Sequence, residues 1–394
     1  MYRFSDDVTA IKPGGGVRAL AKYKNLPGMI SFTSGMPAAE FLPTEELAEA
    51  FSALMKEQGR TALLYGDTAG WYPLREQICR RMKAKNRIDA TAEQICLTVG
   101  GGQGIYTCGR VLLNPGDVVL MEAPSYPGAI QSFQACQANF VEVATNENGP
   151  VIEELEKILA TTKNIKFMYA IPEFQNPSGH TWSLQVRREF MELANRYELL
   201  VVEDNPYGEL RFRGEPIPSL KSMDTKGLVI YLGSFSKILS PGRRLGWICA
   251  APELLEKLTL MVNTAVLQAS TTTAMLISRY LDMYDLDKHI ERMIPVYRQR
   301  CDLMLNTMRA TFPEEAVFSD PDGGLFTWVE LPEHIDTRDL SMKGVEKRVL
   351  FVPGFGFYPT SNRQNCLRLN YSSSTDELIV EGINRLAAVI KDAM

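Results

Sequence analysis

Between residues 92 and 250 the chain alternates two hydrophobic rhythms. Short, nearly continuous apolar runs occur at Gln94–Val99, Val118–Glu122, Phe140–Val143, Lys166–Ile171, Leu199–Glu203, Val229–Leu232 and Leu245–Cys249. Such runs predict strands of a mostly parallel sheet covered on both faces. Between them apolar residues recur at helical spacing, as at Val186, Phe190, Leu193, Ala194 and Tyr197. Upstream, Pro43-Thr44-Glu45-Glu46 has a capping residue and early acids, followed by Leu47, Phe51, Leu54 and Met55, and predicts a helix start. After residue 285 the rhythm changes. A long helical stretch from Ile290 to Met308 carries Pro295, which is expected to kink or break it. Strand-like pieces follow at Leu325–Leu331 and Val349–Val352. A last helix starts at the capping box Ser374-Thr375-Asp376-Glu377 and runs through Leu378, Ile383 and Ile390. The pattern predicts an α/β fold: a large three-layer α/β/α domain over 41–285, and a smaller α+β domain from 286–394 joined by residues 1–40.

Length agrees with this division, since 394 residues exceed the roughly 250–300 at which one core stops growing. With 45% apolar and 23% charged residues, the chain has an ordinary globular composition, which excludes a disordered or collagenous protein. No window approaches the apolar length of a membrane span, and the opening MYRFSDDVTAIKPGGG lacks the apolar stretch of a secretory signal. A net charge of −5 argues against nucleic acid as a partner. The seven cysteines are scattered without C-x-x-C spacing, so reduced thiols in a cytoplasmic protein are expected. His180, His289 and His334 have no neighbours at metal-ligand spacing, so no metal site is expected.

Ligands of open α/β sheets bind where strands end, so the residues after each run carry the chemical information. The first run leads into Gly100-Gly101-Gly102-Gln103-Gly104 and a helical segment, where backbone N–H groups and the helix dipole favour a phosphate. Taken alone this is a tight turn. Tyr126 follows the second run and Asn176-Pro177 the fourth, each readable singly as a loop residue. The fifth run ends in Glu203-Asp204, acids that must be paired or solvated at the end of a buried strand, though a helix cap would serve. The sixth leads into Ser234-Phe235-Ser236-Lys237, with Arg244 just before the next run. A lone lysine is usually a solvated cation. Together these strand ends offer an amine, a carboxylate, a phosphate cradle, hydroxyls, arginines and aromatic rings. Pyridoxal phosphate uses all of them.

The S-x-S-K-x6-R-x-G block, with NP and D-x-x-Y, resembles the class I/II (fold-type I) aminotransferases, most nearly those acting on 2-aminoadipate and kynurenine. The resemblance runs from SFTSGMP near residue 31 to CLRLNYSS near 366. It implies that Lys237 holds the cofactor and shuttles a proton, that Asp204 pairs with the ring nitrogen, and that Asn176 and Tyr207 donate to the phenolate oxygen. It places Tyr126 over the ring, and Gly101, Gly102, Gln103, Ser234, Ser236 and Arg244 among the cofactor contacts. Arg368 falls where the substrate carboxylate is gripped, a task suited to a bidentate guanidinium. Gly35 falls where the N-terminal segment closes over substrate, beside Asn176. PGFGFYP, including Phe355, looks like the loop preceding the carboxylate arginine. The segment Ala62-Leu63-Leu64-Tyr65-Gly66 resembles one whose tyrosine reaches the partner subunit's phosphate, which implies a homodimer with shared active sites. The implied reaction passes an amino group from an amino acid to a 2-oxo acid, 2-oxoglutarate above all, by a ping-pong route. A β-lyase or decarboxylase of the same fold uses nearly the same residues, and a non-enzymatic cofactor or amino-acid sensor is a further alternative.

Overall fold

The computed structural model describes residues 2–12 and 20–394. Its centre is an eight-stranded sheet of β1 (Ile95–Thr98), β2 (Val118–Ala123), β3 (Asn139–Asn146), β4 (Gly149–Pro150), β5 (Ile165–Ala170), β6 (Leu200–Asp204), β7 (Val229–Ser234) and β8 (Gly246–Cys249). The spatial order is β1-β8-β7-β6-β5-β2-β3-β4. The strands from β7 to β3 run parallel, β8 is antiparallel to both neighbours, and β4 turns back along β3. Each run named from the sequence is a strand of this sheet with its ends shifted by a few residues. Gly149–Pro150, too short to show a period, is the addition.

Alternation along each strand divides the core between the faces, because successive side chains point to opposite sides. Val119, Met121, Phe167, Tyr169 and Val202 pack in one cluster with Ile105, Phe133 and Leu258, from the helices Gly101–Leu112, Pro127–Gln134 and Pro252–Val266. Leu120, Met168, Ala170 and Val201 pack in the other with Leu155, Phe190 and Leu193, from Ile152–Thr161 and Leu184–Tyr197.

A second, four-stranded antiparallel sheet has the order Val317–Phe318, Phe326–Glu330, Cys366–Asn370, Val352–Pro353. Helices Leu286–Thr311 and Asp376–Lys391 accompany it, the latter capped by Thr375. Leu286–Thr311 continues as one helix through Pro295, so the proline does not mark a break. Pro295 and Glu291 both lie on the exposed side, so the carbonyl that loses its N–H partner faces water. Met293, Tyr297, Cys301 and Met304 keep the opposite side buried. The N-terminal segment divides its contacts. Ile30–Ser31 pairs in parallel with Val349–Leu350. Residues 6–12 instead dock on helices of the large sheet, where Asp7 meets Arg110 at 3.2 Å and accepts from Gln137 at 2.9 Å. That differs from the expectation that the whole segment packs with the smaller part.

Candidate active site

At the carboxyl ends of β1, β2, β5, β6 and β7 a cavity of about 160 Å³ is lined by Gly101, Gly102, Tyr126, Asn176, Asp204, Tyr207, Ser234, Ser236, Lys237 and Arg244. Strand direction explains the gathering, since parallel strands bring all their C-terminal loops to one edge of the sheet.

Two residues past β1 stands Gly100, whose φ of +76° is the left-handed region that favours glycine. A Cβ there would lie 2.7 Å from Arg244 Nη2, so this glycine also admits the guanidinium. Arg244 donates to the Val99 carbonyl at 3.3 Å. A Cβ added at Gly101 or Gly102 would have nothing within 4 Å. Both glycines line the cavity at the first turn of Gly101–Leu112, where helix amides lack intrahelical partners. Gln103 takes no part in the cavity wall: its Oε1 accepts from the Val99 amide at 2.6 Å, so its side chain braces the turn.

At the end of β7, Ser234 Oγ donates to Ser236 Oγ at 2.9 Å and accepts from the Ser236 amide at 3.1 Å. Both serines are buried, and the Ser236 hydroxyl keeps its proton for another acceptor. Lys237 Nζ donates to the Gly35 carbonyl at 2.6 Å. Burial pushes its ammonium down to about 8, with Arg368 and Arg244 acting the same way and Asp204 opposing them. Asp204, last residue of β6, is buried, and its Oδ2 accepts from the Tyr169 hydroxyl at 2.6 Å. Burial lifts its carboxyl to about 6, with Tyr169 and Lys237 opposing. Its neighbour Glu203 points to the other face and accepts the Leu220 and Lys221 amides at 3.0 and 2.8 Å. Of the two acids, only Asp204 serves the cavity.

Tyr126 precedes the helix Pro127–Gln134, and burial raises its phenol. A Cβ at Gly128 would lie 2.6 Å from its ring, so that glycine makes room for it. Tyr207, also raised by burial, packs edge-on against Phe326 with centroids 5.8 Å apart. Asn176 Oδ1 accepts from Arg368 Nη1 at 2.8 Å, which leaves its amide NH2 as a donor. Arg368 Nη2 donates to the Thr33 carbonyl at 3.1 Å. Its guanidinium lies over the Phe326 ring at 4.1 Å and near Phe357 at 5.4 Å. Only 5% exposed, Arg368 keeps a buried Nε without a partner, and burial lowers it to about 10.

Among the described residues Lys237, Arg244 and Arg368 have backbone or amide partners and no carboxylate. Arg368 is the buried one of the three, Lys237 being half-buried and Arg244 exposed, and a buried cation without an anion is costly. Arg368 therefore suits a carboxylate, while the helix start at Gly101 with Arg244 beside it suits a phosphate. Pyridoxal phosphate with an amino acid fits this donor set.

The family described as aminotransferase class I and II matches residues 27–386. The chain belongs to the class I and II aminotransferases. This aminotransferase is 38% identical over 395 residues to aromatic-amino-acid aminotransferase 1 of Thermococcus litoralis, covering 99% of this chain and 94% of that protein. It is 37% identical over 378 residues to the 2-aminoadipate transaminase of Thermus thermophilus, covering 95% and 93%. The kynurenine aminotransferase of Pyrococcus horikoshii, solved in complex with PMP, superposes with a TM-score of 0.94 at 36% identity, over 99% of this chain and 97% of that one. The protein is a fold-type I transaminase and its cofactor is pyridoxal phosphate.

Gln103, expected among the cofactor contacts, is not among the residues lining the aminotransferase's cavity, and Tyr65, expected at a partner subunit's phosphate, lies at the surface. Gln103 braces its own turn. Tyr65 is 85% exposed and lines a separate cavity with Trp71 and Thr271. Phe355 stacks on Arg338 at 4.6 Å, and it is Phe357 of the same loop that approaches Arg368. Tyr169, Phe326 and Phe357 escaped the reading of the sequence. The hydroxyl inside the apolar run KFMYAI is the one local signal that could have exposed Tyr169. Phe357 lies in the PGFGFYP loop expected before the carboxylate arginine, and Phe326 has no local signal, because Arg368 is met only across the second sheet.

Proposed function

We propose that this aminotransferase binds an L-amino acid and a 2-oxo acid in turn at one site, gripping each by its α-carboxylate at Arg368, in a ping-pong cycle with 2-oxoglutarate as acceptor. The observation that carries this reading is the buried Arg368 guanidinium with its unpartnered Nε. Beside two aromatic rings and without a carboxylate partner among the described residues, it is matched in charge and planarity by a substrate carboxylate.

When bound, pyridoxal phosphate supplies an aldehyde that takes up amines and a ring that stores the electron pair left at Cα. The residues divide the remaining work. The amides of Gly101 and Gly102, the Ser234 and Ser236 hydroxyls and Arg244 hold the phosphate. Asp204 keeps a negative charge beside the ring nitrogen, Tyr126 covers the ring, and the Asn176 amide and Tyr207 hydroxyl donate to the phenolate oxygen. Lys237, whose amine titrates near 8, has a sizeable neutral fraction close to neutral pH. Its Nζ would hold the cofactor and would be the group that carries the proton taken from the substrate Cα. The Gly35 carbonyl that accepts from Nζ brings the N-terminal segment over the reacting groups.

In the same reading the enzyme is a cytoplasmic homodimer. Exposed Leu63, Leu64 and Tyr65 supply a surface for the second copy, and Tyr65 completes the partner's phosphate site. Residues 41–285 form the cofactor-holding domain and 286–394 with 1–40 the smaller one. The pairing of Ile30–Ser31 supports that boundary, whereas the Asp7–Arg110 contact draws the first dozen residues toward the larger domain.

The test mixes purified holoenzyme with single amino acids and no acceptor. Each true donor bleaches the visible band of the cofactor, and 2-oxoglutarate restores it. Release of carbon dioxide or of a β-substituent, without that reversible exchange, would replace the transamination cycle by decarboxylation or lyase chemistry.

A further inference from the structure

We propose that Tyr169 is a positioning residue for Asp204, its hydroxyl holding one carboxylate oxygen so that the other is presented to the cofactor's ring nitrogen. The inference rests on Asp204 being the partner of that nitrogen. Register brings the two side chains together. Tyr169 on β5 pairs with Val202 on β6, and Asp204, two residues on, shares the face of Val202. Tyr169 is fully buried, and its ring packs edge-on against Phe133 with centroids 5.8 Å apart. The hydroxyl bond to Asp204 Oδ2 is 2.6 Å long, in the range of charge-assisted O–H···O⁻ bonds. Among the described residues neither group has another hydrogen-bond partner. A phenylalanine would pack in this apolar strand as well, so the hydroxyl's one contact is its contribution. The groups that face Asp204 are Tyr169, Lys237, the phenols of Tyr126 and Tyr207, and the Cys108 thiol. Of these, Tyr169 alone donates a hydrogen bond to it. A carboxylate pinned at one oxygen cannot swing away from the cavity it lines, and the same bond favours its charged form against burial.

The experiment titrates apo-protein with pyridoxal phosphate by absorbance across the acid-to-neutral range. Tyr169→Phe is expected to weaken retention by about tenfold and to move the acid midpoint up by roughly one pH unit, the scale of one hydrogen bond to a charged group. In an Asp204→Asn background the same substitution is expected to cost nothing further. Equal losses in both backgrounds, or no loss in either, would show that Tyr169 only packs. 3-Fluorotyrosine at 169, the same shape but for one atom and a stronger donor, is expected to move the midpoint down. If Tyr169→Phe does not fold, that protein decides the matter, and an unmoved midpoint overturns the proposal. Asp204→Asn alone separates the two readings: unchanged retention and midpoint there would remove Asp204 from the ring nitrogen and leave Tyr169 with nothing to position.

Discussion

Lys237 and Arg368 are both cations drawn out of water near one cavity, yet they reach it by different routes. Lys237 sits three residues beyond β7 (Val229–Ser234), and of its companions Asp204 ends β6 and Gly101 follows β1 of the same sheet. Arg368 comes from the second sheet, and its partners Asn176 and Thr33 lie 192 and 335 positions away. The cofactor end is thus organised by one rigid sheet edge. The carboxylate end depends on how two sheets and the N-terminal segment are placed against each other. Substitutions at the first are expected to abolish the chemistry, and those at the second to weaken recognition.

The largest effect belongs to Lys237. Lys237→Ala should lower turnover by at least about 10⁴-fold, since nucleophile and proton carrier are lost together. Borohydride reduction and peptide mapping of the unaltered enzyme should place the pyridoxyl group on Lys237. A label on any other lysine would dissolve the distinction between the two ends.

Arg368→Ala sharpens the comparison from the other side. Losing a desolvated carboxylate contact should cost about 2–5 kcal/mol, read as at least a tenfold loss in apparent affinity for amino and oxo acids with cofactor retention unchanged. Simple amines, which lack the carboxylate, should be little affected. Arg368→Lys should recover only part, because a point charge cannot replace the planar fork. Equal damage to amines and amino acids would make Arg368 a structural cation.

Tyr65 tests whether the cofactor end is finished by a second copy. Tyr65→Phe should weaken pyridoxal phosphate retention by roughly tenfold. Inactive subunits carrying a bulky block at Tyr65, mixed with inactive Lys237→Ala subunits, should regain activity as hybrids with one intact site. A dead mixture of folded subunits, or an active monomer, would confine the site to one chain.

The smallest effect is on stability. In the folded apo-protein Lys237 titrates near 8 against an ordinary value of 10.5. Between those values the unfolded chain binds a proton that the folded chain does not, so this group makes stability rise with pH across that window. Below it the burial cost is present in full. Lys237→Met should raise the apo melting temperature more at neutral pH than at pH 10.5, and an equal gain at both would mean that the ammonium is not desolvated.

How much of this could be read beforehand follows the same contrast. The strands, and the residues just after them, were legible because a buried parallel strand must be apolar along its length and its loop must carry what the ligand needs. Lys237, Asp204, Asn176, Ser234, Ser236 and the glycines at 101 and 102 belong to that class, and they line the cavity. Gln103 misled because a residue inside a glycine-rich turn can face the ligand or its own backbone, and only the fold of the turn decides. Pro295 does not break its helix because a proline's effect depends on which side of the helix loses its hydrogen bond, and here it is the wet side.

By itself the sequence determined the order of strands and helices and the set of groups offered at the strand ends, since both follow from local spacing and residue chemistry. Tertiary structure alone decided which of two adjacent acids faces the cavity, that Tyr169 reaches Asp204, and that Phe326 and Phe357 enclose Arg368. Those contacts join residues far apart along the chain, and their distances depend on sheet register and on the packing of one sheet against the other, which no local pattern encodes.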